Sequence, residues 1–327
     1  MFLSVIIPTR NRAKYLAGAL ESLTKQTYPT NLFEVIVVDN GSSDNTKEIF
    51  TLYAERIQNL RYYYDETPGL HVGRHLGMRM AQSDILVYTD DDIEAFPTWL
   101  EAIAESFQNK EVVLVGGKNL PKFETDPPDW ILKMWEKKHG QRILGYLSIL
   151  DLGDEKKEIN PLHIFGCNFS IRKHILLEAG GFHPDAMPQE LIKYRGDGES
   201  HVSKYILRRS YKAIYQPKAS VYHLVTSSRM TEEYFYKRAY NQGISDSYTT
   251  VRSKNIKQGF IVNNLESLFK RIFYVLKNWV KIGAENDYLL YQAYRAGYKY
   301  HVNEIDCDKN LYKWVIKDSY INDLEWE

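Results

Sequence analysis

Short apolar runs alternate with amphipathic stretches through the first 120 residues. The apolar runs predict strands at 4–8, 33–39, 60–64, 84–90 and 112–118. Between them, apolar residues recur at three- and four-residue intervals, as from Leu16 to Leu23, which is typical of one face of a helix. This alternation predicts an α/β fold.

Polar residues follow several of these strands directly. Thr9 comes after the first strand, Asp39 closes the second, and Asp90 to Asp92 follow the fourth. In open α/β sheets, ligands bind beyond the carboxyl ends of the strands. The pattern therefore predicts a ligand site formed by these residues.

The pattern is less regular after residue 120. The Trp- and Pro-rich segment 121–135 is predicted to form a long loop or lid. Within it, Trp130 and Trp135 are either a platform for an acceptor sugar or part of the core of that lid. A strand followed by a helix is predicted within 163–182, and the last sheet element at 213–223.

The C-terminal part, beyond residue 230, has a helical pattern. Apolar residues recur at three- and four-residue intervals through 261–282, which predicts an amphipathic helix. Its apolar stripe packs on the rest of the chain or on a second copy in a homo-oligomer, or else the helix lies on a membrane surface. We divide the chain into a first domain, 1–228, and a mainly helical region, 229–327.

Composition excludes several classes of partner and location. The 42 basic side chains balance 42 acidic ones, so the chain as a whole does not attract nucleic acid, and no nucleic-acid partner is expected. No stretch reaches the length of about 18 apolar residues that a membrane-spanning helix needs. The opening MFLSVIIP has no basic segment and reads as a buried strand rather than a signal peptide.

The two cysteines support an intracellular location. Cys167 and Cys307 are far apart in the sequence and belong to no CxxC motif, so neither a disulfide framework nor a zinc site is expected. A reducing compartment fits this usage. The protein is expected to be cytoplasmic, either soluble or peripheral on the inner face of the membrane.

Asp90, Asp91 and Asp92 form the sharpest local feature. Three adjacent carboxylates repel one another unless a cation neutralises them, and carboxylate oxygens are ligands that Mg²⁺ and Mn²⁺ prefer. The alternative is a solvated turn that caps the following helix. Asp39 favours a nucleotide site, because an acidic residue at a neighbouring strand end often binds a ribose hydroxyl. The chain has no glycine-rich phosphate loop, so metal and side chains would have to hold a diphosphate.

Several motifs occur together in a characteristic order. They are SVIIPTRNR, VIVVDNGSSDNT, GLHVGRHLGM, YTDDD, GCNFSIRK with GGF, and GDGE upstream of YQPKASVYH. With these motifs the chain resembles the inverting family 2 glycosyltransferases, which have the GT-A fold with its Rossmann-like nucleotide-binding sheet. The resemblance implies a nucleoside-diphosphate sugar donor, commonly a UDP-sugar, and a Mn²⁺ or Mg²⁺ cofactor.

The same resemblance assigns residues to the donor. Contacts to the base and the ribose fall on Pro8, Thr9, Asn11 and Asp39. Arg74 is where the family has an arginine that approaches the base or the diphosphate, although an ordinary surface arginine is the alternative.

The metal is assigned to the acidic motif and a distant histidine. Asp92 is the strongest ligand candidate, and Asp90 lies closer to the ribose. Because Asp91 is also acidic, the alignment of the family's DxD motif with these residues can shift by one position. His223 matches a histidine that completes the metal shell in many GT-A enzymes. Further downstream, four residues are expected to cover the diphosphate: Ser227, Arg229, Lys237 and Arg238.

The catalytic base falls in the segment Arg195-Gly196-Asp197-Gly198-Glu199. The family pattern has an adjacent acidic pair, which Gly198 splits here. We favour Glu199 as the base that takes the proton of the acceptor hydroxyl, and Asp197 remains the alternative. Both carboxylates are also compatible with simple capping of the helix that begins near Ser200.

The resemblance implies transfer of one sugar to a hydroxyl of a glycan or a lipid-linked acceptor, in cell-surface polysaccharide or glycoconjugate synthesis. The QxxRW signature of processive synthases is absent from the sequence, which favours single transfer. One alternative is an inactive module that binds nucleotide sugars or glycans. Another is a sugar-1-phosphate nucleotidyltransferase, although PTRNR does not match the GxGxR loop of that class.

Overall fold

A mixed sheet of eight strands forms the core of the residues that the computed structural model describes, 1–256 and 284–321. Across the sheet, the strands lie in the order β10 (Lys157–Glu158), β12 (Lys212–Tyr215), β6 (Val112–Gly116), β11 (Asn168–Arg172), β4 (Ile85–Thr89), β1 (Leu3–Thr9), β2 (Phe33–Asp39) and β3 (Leu60–Tyr64). The predicted strands 33–39 and 60–64 therefore have the predicted bounds.

The first four strands are parallel, and three helices connect them: α1 (Ala13–Leu23), α2 (Thr46–Ala54) and α3 (Leu70–Met80). From β1 the chain builds outward to β2 and β3, and then returns to place β4 on the other side of β1. The strand order therefore reverses between β1 and β4. Such a switch point opens a crevice at the carboxyl ends of the two strands.

The side chains of the central strands alternate between two apolar layers. Val5 and Val35 pack into the layer on one face, while Ile6 and Ile36 pack into the layer on the other. Both β1 and β2 are buried along their whole length, as expected for parallel strands that are covered on both faces.

A second, five-stranded sheet lies in the described part of the chain, in the order β5 (Ile93–Ala95), β13 (Val221–Val225), β7 (Asn119–Phe123), β9 (Ile149–Asp151) and β8 (Arg142–Leu144). Two predictions were wrong here. The segment 213–223 is not one strand, because the chain leaves the first sheet after Tyr215 and enters the second at Val221. Pro217 lies in this break, where it has no backbone N–H to give to a ladder. The segment 121–135 is also not one long loop, since it contains the end of β7 and a helix.

The remaining helices before the C-terminal region are α4 (Trp99–Ser106), α5 (Asp129–Met134), α6 (Lys173–Glu178) and α7 (Glu199–Arg208). The C-terminal helices are α8 (Glu232–Ile256), α9 (Ala284–Cys307) and α10 (Lys309–Ile316). A helical C-terminal region is therefore confirmed. The predicted helix 261–282 lies outside the described residues, and the domain division at 228/229 stays a prediction.

Helices α8 and α9 pack closely because glycines lie at their contact. A Cβ added to Gly243 would lie 2.1 Å from the carbonyl oxygen of Tyr294, and one added to Gly297 would lie 2.0 Å from that of Tyr240. The C-terminal end of the described chain also binds the first domain, because Nδ1 of His75 donates to the carbonyl of Tyr320 at 3.0 Å. Within the described ranges, no helix has both the length and the apolar character to cross a membrane.

Candidate active site

The carboxyl ends of β1 and β4 meet at the switch point. The Thr9 hydroxyl donates to Oδ2 of Asp91 at 2.7 Å. Arg12 lies over the acidic triplet: its Nε is 2.6 Å from Oδ1 of Asp91 and its Nη2 is 2.5 Å from Oδ2 of Asp92. Sequence reasoning missed Arg12, although it lies in the quoted motif SVIIPTRNR. The sequence signal for Arg12 was a cationic side chain soon after β1, since three carboxylates need positive charge nearby.

Asp92 and His223 come together through the second sheet. His223 on β13 pairs in register with Ile93 on β5, the residue after Asp92. The backbone N–H of Leu224 also donates to the carbonyl of Asp92 at 2.9 Å. This register brings Nε2 of His223 to 3.3 Å from Oδ1 of Asp92, and both side chains are buried.

The tautomer of His223 follows from its other nitrogen. Nδ1 lies 2.9 Å from the carbonyl oxygen of Leu147, which can only accept, so Nδ1 carries the proton. In the neutral ring, Nε2 then presents a lone pair toward Oδ1 of Asp92. Within the described part of the chain, that buried oxygen has no hydrogen-bond partner. Two electron-rich atoms that face each other in a buried place fit a cation between them.

Asp90 and Cys167 lie beside this pair. One ligand atom each from Asp90, Cys167 and His223 can lie within 4.8 Å of one another. Burial raises the pKa of the Cys167 thiol well above its ordinary value, so the sulfur stays protonated, whereas carboxylate oxygen and imidazole nitrogen suit Mg²⁺ or Mn²⁺. The predicted ligands Asp90, Asp92 and His223 are therefore close together, and their chemistry fits a divalent cation.

Positive charges keep Asp92 ionised. Burial opposes its ionisation, but the hydrogen bond and charge that His223 supplies when Nε2 is also protonated, together with the charges of Arg12 and Arg229, outweigh burial and lower the pKa of Asp92. Nη1 of Arg229 is 3.5 Å from Oδ2 of Asp92 and 3.5 Å from Nε2 of His223. Asp90 differs, because desolvation in the cleft and the nearby Asp92 raise its pKa despite the attraction of Arg74.

Glu199 opens helix α7 and points to the same cleft. Its Oε2 lies 3.3 Å from Nη1 of Arg74, and its Oε1 accepts from the backbone N–H of Gly166 at 3.2 Å. Nη2 of Arg74 is in turn 3.6 Å from Oδ1 of Asp90. Arg74 is 3% exposed, so the alternative of a surface arginine is wrong. It lies between the base candidate and Asp90, with its guanidinium 5.1 Å from the ring centre of Phe182.

Asp197 has a different environment from Glu199. Nδ1 of His183 donates to its Oδ1 at 2.6 Å, while Lys204 and Thr249 donate to its Oδ2 at 2.7 and 3.1 Å. Burial works against the charge of Asp197, yet His183 and Lys204 lower its pKa. A carboxylate with this many donors is suited to holding helices α7 and α8 together.

The residues predicted to bind the nucleoside lie at the ends of β1 and β2. The parallel register places Pro8 beside Val38 and Thr9 beside Asp39. Asp39 accepts from the Tyr62 hydroxyl and from the N–H of Ser42, both at 2.7 Å. Asn11 has a positive φ of 53° and accepts from the N–H of Ser43 at 2.7 Å, which fixes the loop after β1.

A cleft of about 710 Å³ opens in front of the carboxylates. Its wall includes Asp90, Asp92, Glu199 and His223 from the first domain, and α8 and α9 contribute polar and aromatic side chains. Neither Trp130 nor Trp135 lines it. Trp130 packs edge-on against Phe235 and Trp135 lies under Arg142, so the acceptor platform stays a prediction.

Two of the residues expected at the diphosphate lie elsewhere. Ser227 donates from its N–H to Glu124 at 3.0 Å, and Lys237 is exposed and does not line the cleft. Arg229 and Arg238 both line it.

A family model described as glycosyl transferase family 2 matches residues 4–179, more than half of the chain. The chain belongs to glycosyl transferase family 2. This confirms the family predicted from the motifs, and glycosyl transfer is the activity that the family shares.

Two curated relatives come from Haloferax volcanii. Glycosyltransferase AglE is 39% identical over 117 residues, which are 36% of this chain and only 38% of that relative. The glucosyl-dolichyl phosphate glucuronosyltransferase is 23% identical over 256 residues, which are 75% of this chain and 76% of that relative.

Two solved structures confirm the fold. The mannosyltransferase PcManGT from Pyrobaculum calidifontis, in complex with GDP-Man and Mn²⁺, has a TM-score of 0.56 at 20% identity, over 98% of this chain and 84% of its own. S. aureus TarS 1–349 in complex with UDP-GlcNAc has a TM-score of 0.50 at 19% identity, over 94% and 92%. The α/β sheet with a helical C-terminal region therefore matches known GT-A glycosyltransferases.

Proposed function

We propose that this protein transfers a sugar from a nucleoside-diphosphate sugar to a hydroxyl of a glycan or lipid-linked acceptor, with inversion at the anomeric carbon. The observation that carries the proposal is the meeting of Asp92, His223 and Glu199 in one cleft at the switch point of the sheet. UDP-sugars are the first donors to test. The GDP-Man and UDP-GlcNAc bound to the two solved relatives support a nucleotide-sugar donor in general.

The donor side of the proposal rests on the strand ends. Asp39, Thr9 and Asn11 lie where a nucleoside reaches the carboxyl ends of β1 and β2. Asp92, Asp90 and His223 would hold Mn²⁺ or Mg²⁺, which when bound would offset negative charge on the departing diphosphate. Arg229, 3.5 Å from Asp92, adds a positive charge at the same edge.

The acceptor side of the proposal rests on Glu199. Its carboxylate accepts the proton of the acceptor hydroxyl as that oxygen bonds to the anomeric carbon and the bond to the diphosphate breaks. Arg74 and the N–H of Gly166 orient the two carboxylate oxygens of Glu199, each holding one of them. Asp197 is less suited to this role, because His183, Lys204 and Thr249 already occupy its oxygens.

The acceptor class and the cellular setting belong to the same proposal. The relative named glucosyl-dolichyl phosphate glucuronosyltransferase supports a lipid-linked saccharide as acceptor. We propose single, non-processive transfer in cell-surface polysaccharide or glycoconjugate synthesis, at a cytoplasmic location that permits peripheral membrane contact.

Release of nucleoside diphosphate from a panel of UDP-, GDP- and dTDP-sugars with Mn²⁺ tests the activity, and NMR of the product gives the anomeric configuration. We expect turnover of one donor class with inversion, and loss of turnover in Glu199→Gln with donor binding retained. Near-wild-type turnover of Glu199→Gln would remove Glu199 from the mechanism. A retained configuration would contradict direct displacement.

A further inference from the structure

Arg238 on α8 lines the cleft. Among the lysine and arginine side chains of the described ranges that line it, Arg238 is the one that has no ion-pair partner there. Its side chain lines the cleft, and its Nε is buried without a hydrogen-bond partner. The other three basic side chains of the cleft are all paired: Arg195 with Asp185 at 2.6 Å, Lys204 with Asp197 at 2.7 Å, and Arg229 with Asp92 at 3.5 Å. A half-buried guanidinium with an N–H that has no acceptor lowers the stability of the folded protein, unless a ligand supplies the missing acceptor.

Helix α8 aims this side chain along the cleft. Its cleft-lining residues are spaced three, four and one apart and so share one face: Arg238, Gln242, Ser245, Asp246, Thr249 and Thr250. The middle of this row of residues is fixed to the loop of the base candidate, since Ser245 donates to the carbonyl of Gly196 at 2.7 Å. Arg238 lies about 10 Å up the helix from Ser245, at a rise of about 1.5 Å per residue. It is therefore on the wall that leads away from Glu199.

The cleft that contains Arg238 runs from the proposed metal ligands Asp90, Asp92 and His223 past Glu199, the proposed base that faces the acceptor. Thr9, Asn11 and Asp39, the proposed nucleoside contacts, do not line it, whereas Glu199 does. This step rests on the proposed function, which places the nucleoside at the ends of β1 and β2. Arg229 already lies beside Asp92, where the donor diphosphate is proposed to bind. We therefore assign Arg238 to a group on the acceptor.

The cleft that contains Arg238 is partly apolar. Met134, Ile143, Leu144 and Leu290 line the same cleft. An acceptor that fits this wall combines an anionic group with apolar surface.

We propose that Arg238 binds an anionic group of the acceptor, either a phosphoryl or a carboxylate group, and so selects charged over neutral acceptors. Arginine suits both groups because its planar fork of N–H donors matches two oxygens.

Calorimetric titration with three probes tests this directly: octyl phosphate, octyl β-D-glucuronide and octyl β-D-glucoside, each below its micelle concentration. We expect at least one anionic probe to bind the wild-type protein about 10- to 100-fold more tightly than the neutral glucoside, as for a hydrogen bond to a charged group. The anionic probe that binds more tightly identifies the phosphoryl or the carboxylate group.

Arg238→Gln is expected to remove this preference, and Arg238→Lys to retain part of it. Lys237→Gln is the matched control, because it removes the same charge from the exposed neighbour. Equal binding of the three probes to the wild type, or a preference that survives in Arg238→Gln, would overturn the proposal. The proposal would also be overturned if Arg238→Gln lost the binding of nucleoside diphosphate but kept its preference for the anionic probe.

The probes require no turnover, so the two proposals fail separately. Arg238-dependent binding of an anionic probe without activity on any nucleotide sugar would contradict the proposed function and leave the anion site standing. Activity on a nucleotide sugar without any preference among the probes would contradict only the role of Arg238.

Discussion

Nε2 of His223 lies 3.3 Å from Oδ1 of Asp92, and the opposite ring nitrogen, Nδ1, donates its proton to the carbonyl of Leu147. In the neutral ring, the two facing atoms are therefore both electron-pair donors in a buried place. This relationship is the structural reason for placing a divalent cation at the switch point of the sheet, and the predictions below test it and its surroundings.

Replacing His223 should weaken the metal site. For His223→Asn, we expect the Mn²⁺ concentration that supports half-maximal nucleotide binding to rise by about 10- to 100-fold, the range typical of disrupted metal-site residues. His174→Asn is the control, since His174 is exposed. Equal Mn²⁺ dependence of the two variants would remove His223 from the site.

Gly166 should be sensitive to a single added methyl group. Its Cβ would lie 2.3 Å from Nη2 of Arg74 and 3.2 Å from Oε1 of Glu199, so alanine must displace the guanidinium that orients the base candidate. We expect kcat of Gly166→Ala to fall by about 100-fold, as for a misplaced catalytic group.

Gly145→Ala is the matched control for this variant. Gly145 also lines the cleft, but nothing lies within 4 Å of its added Cβ. Similar kcat values for the two alanine variants would contradict the positioning of Glu199 by Arg74 and Gly166.

Replacing Asp197 should mainly lower the stability of the protein, whereas replacing Glu199 should mainly lower its activity. Asp197→Asn keeps one oxygen acceptor but places an NH2 group against the other donor, either the buried His183 or the half-buried Lys204, so we expect a loss of about 2–4 kcal/mol in the free energy of unfolding. Glu199→Gln should unfold within about 1 kcal/mol of the wild type, as expected for a partly exposed side chain, and yet lose turnover. Denaturant unfolding of both variants checks this, and the reverse pattern would make Asp197 the base.

The two sheets also show what the sequence predicts and what it does not. The bounds of β2 and β3 follow from apolar runs between polar turns. The apolar pattern of 213–223 does not reveal that the chain changes sheets, because β12 and β13 present similar side chains. Pro217 was the local signal. The approach of Gly117 to Ala219, where an added Cβ would lie 1.8 Å from the carbonyl oxygen, is a tertiary contact that no local pattern shows.

The candidate site was predictable where a motif carries it. The acidic triplet, Glu199 and His223 follow from motif order, and the structure brings them together. Arg12 and the cleft-lining residues of α8 beyond Arg238 were missed, since their roles depend on side chains that are distant in the sequence. The distinction between Asp197 and Glu199 depends on the partners His183 and Lys204, which only the fold brings into contact.

Acid should destabilise the protein through buried histidines. Burial lowers the pKa of His71 and His183 to about 3 and that of His301 to about 4, and it lowers the pKa of His75 well below the ordinary value. In the unfolded chain these groups titrate near 6.5, so below that pH the unfolded state binds protons that the folded state does not.

Stability should therefore be complete above about pH 6.5 and fall as the pH drops toward 4, by up to about 1.4 kcal/mol per pH unit for each histidine. Melting temperatures at pH 7.5, 6.5 and 5.5 measure this fall. His71→Leu should reduce the slope, because it removes one of the four groups. A melting temperature that is constant over this range would contradict neutral, buried histidines.

The most direct test of the central claim is calorimetric binding of UDP, GDP and dTDP with and without Mn²⁺, to the wild-type protein, to Asp92→Ala and to the exposed control Asp154→Ala. We predict Mn²⁺-dependent binding of one nucleotide by the wild type and the control, and its loss in Asp92→Ala. Binding that is independent of Mn²⁺, or equal in the two variants, would contradict a metal-assisted donor site at Asp92.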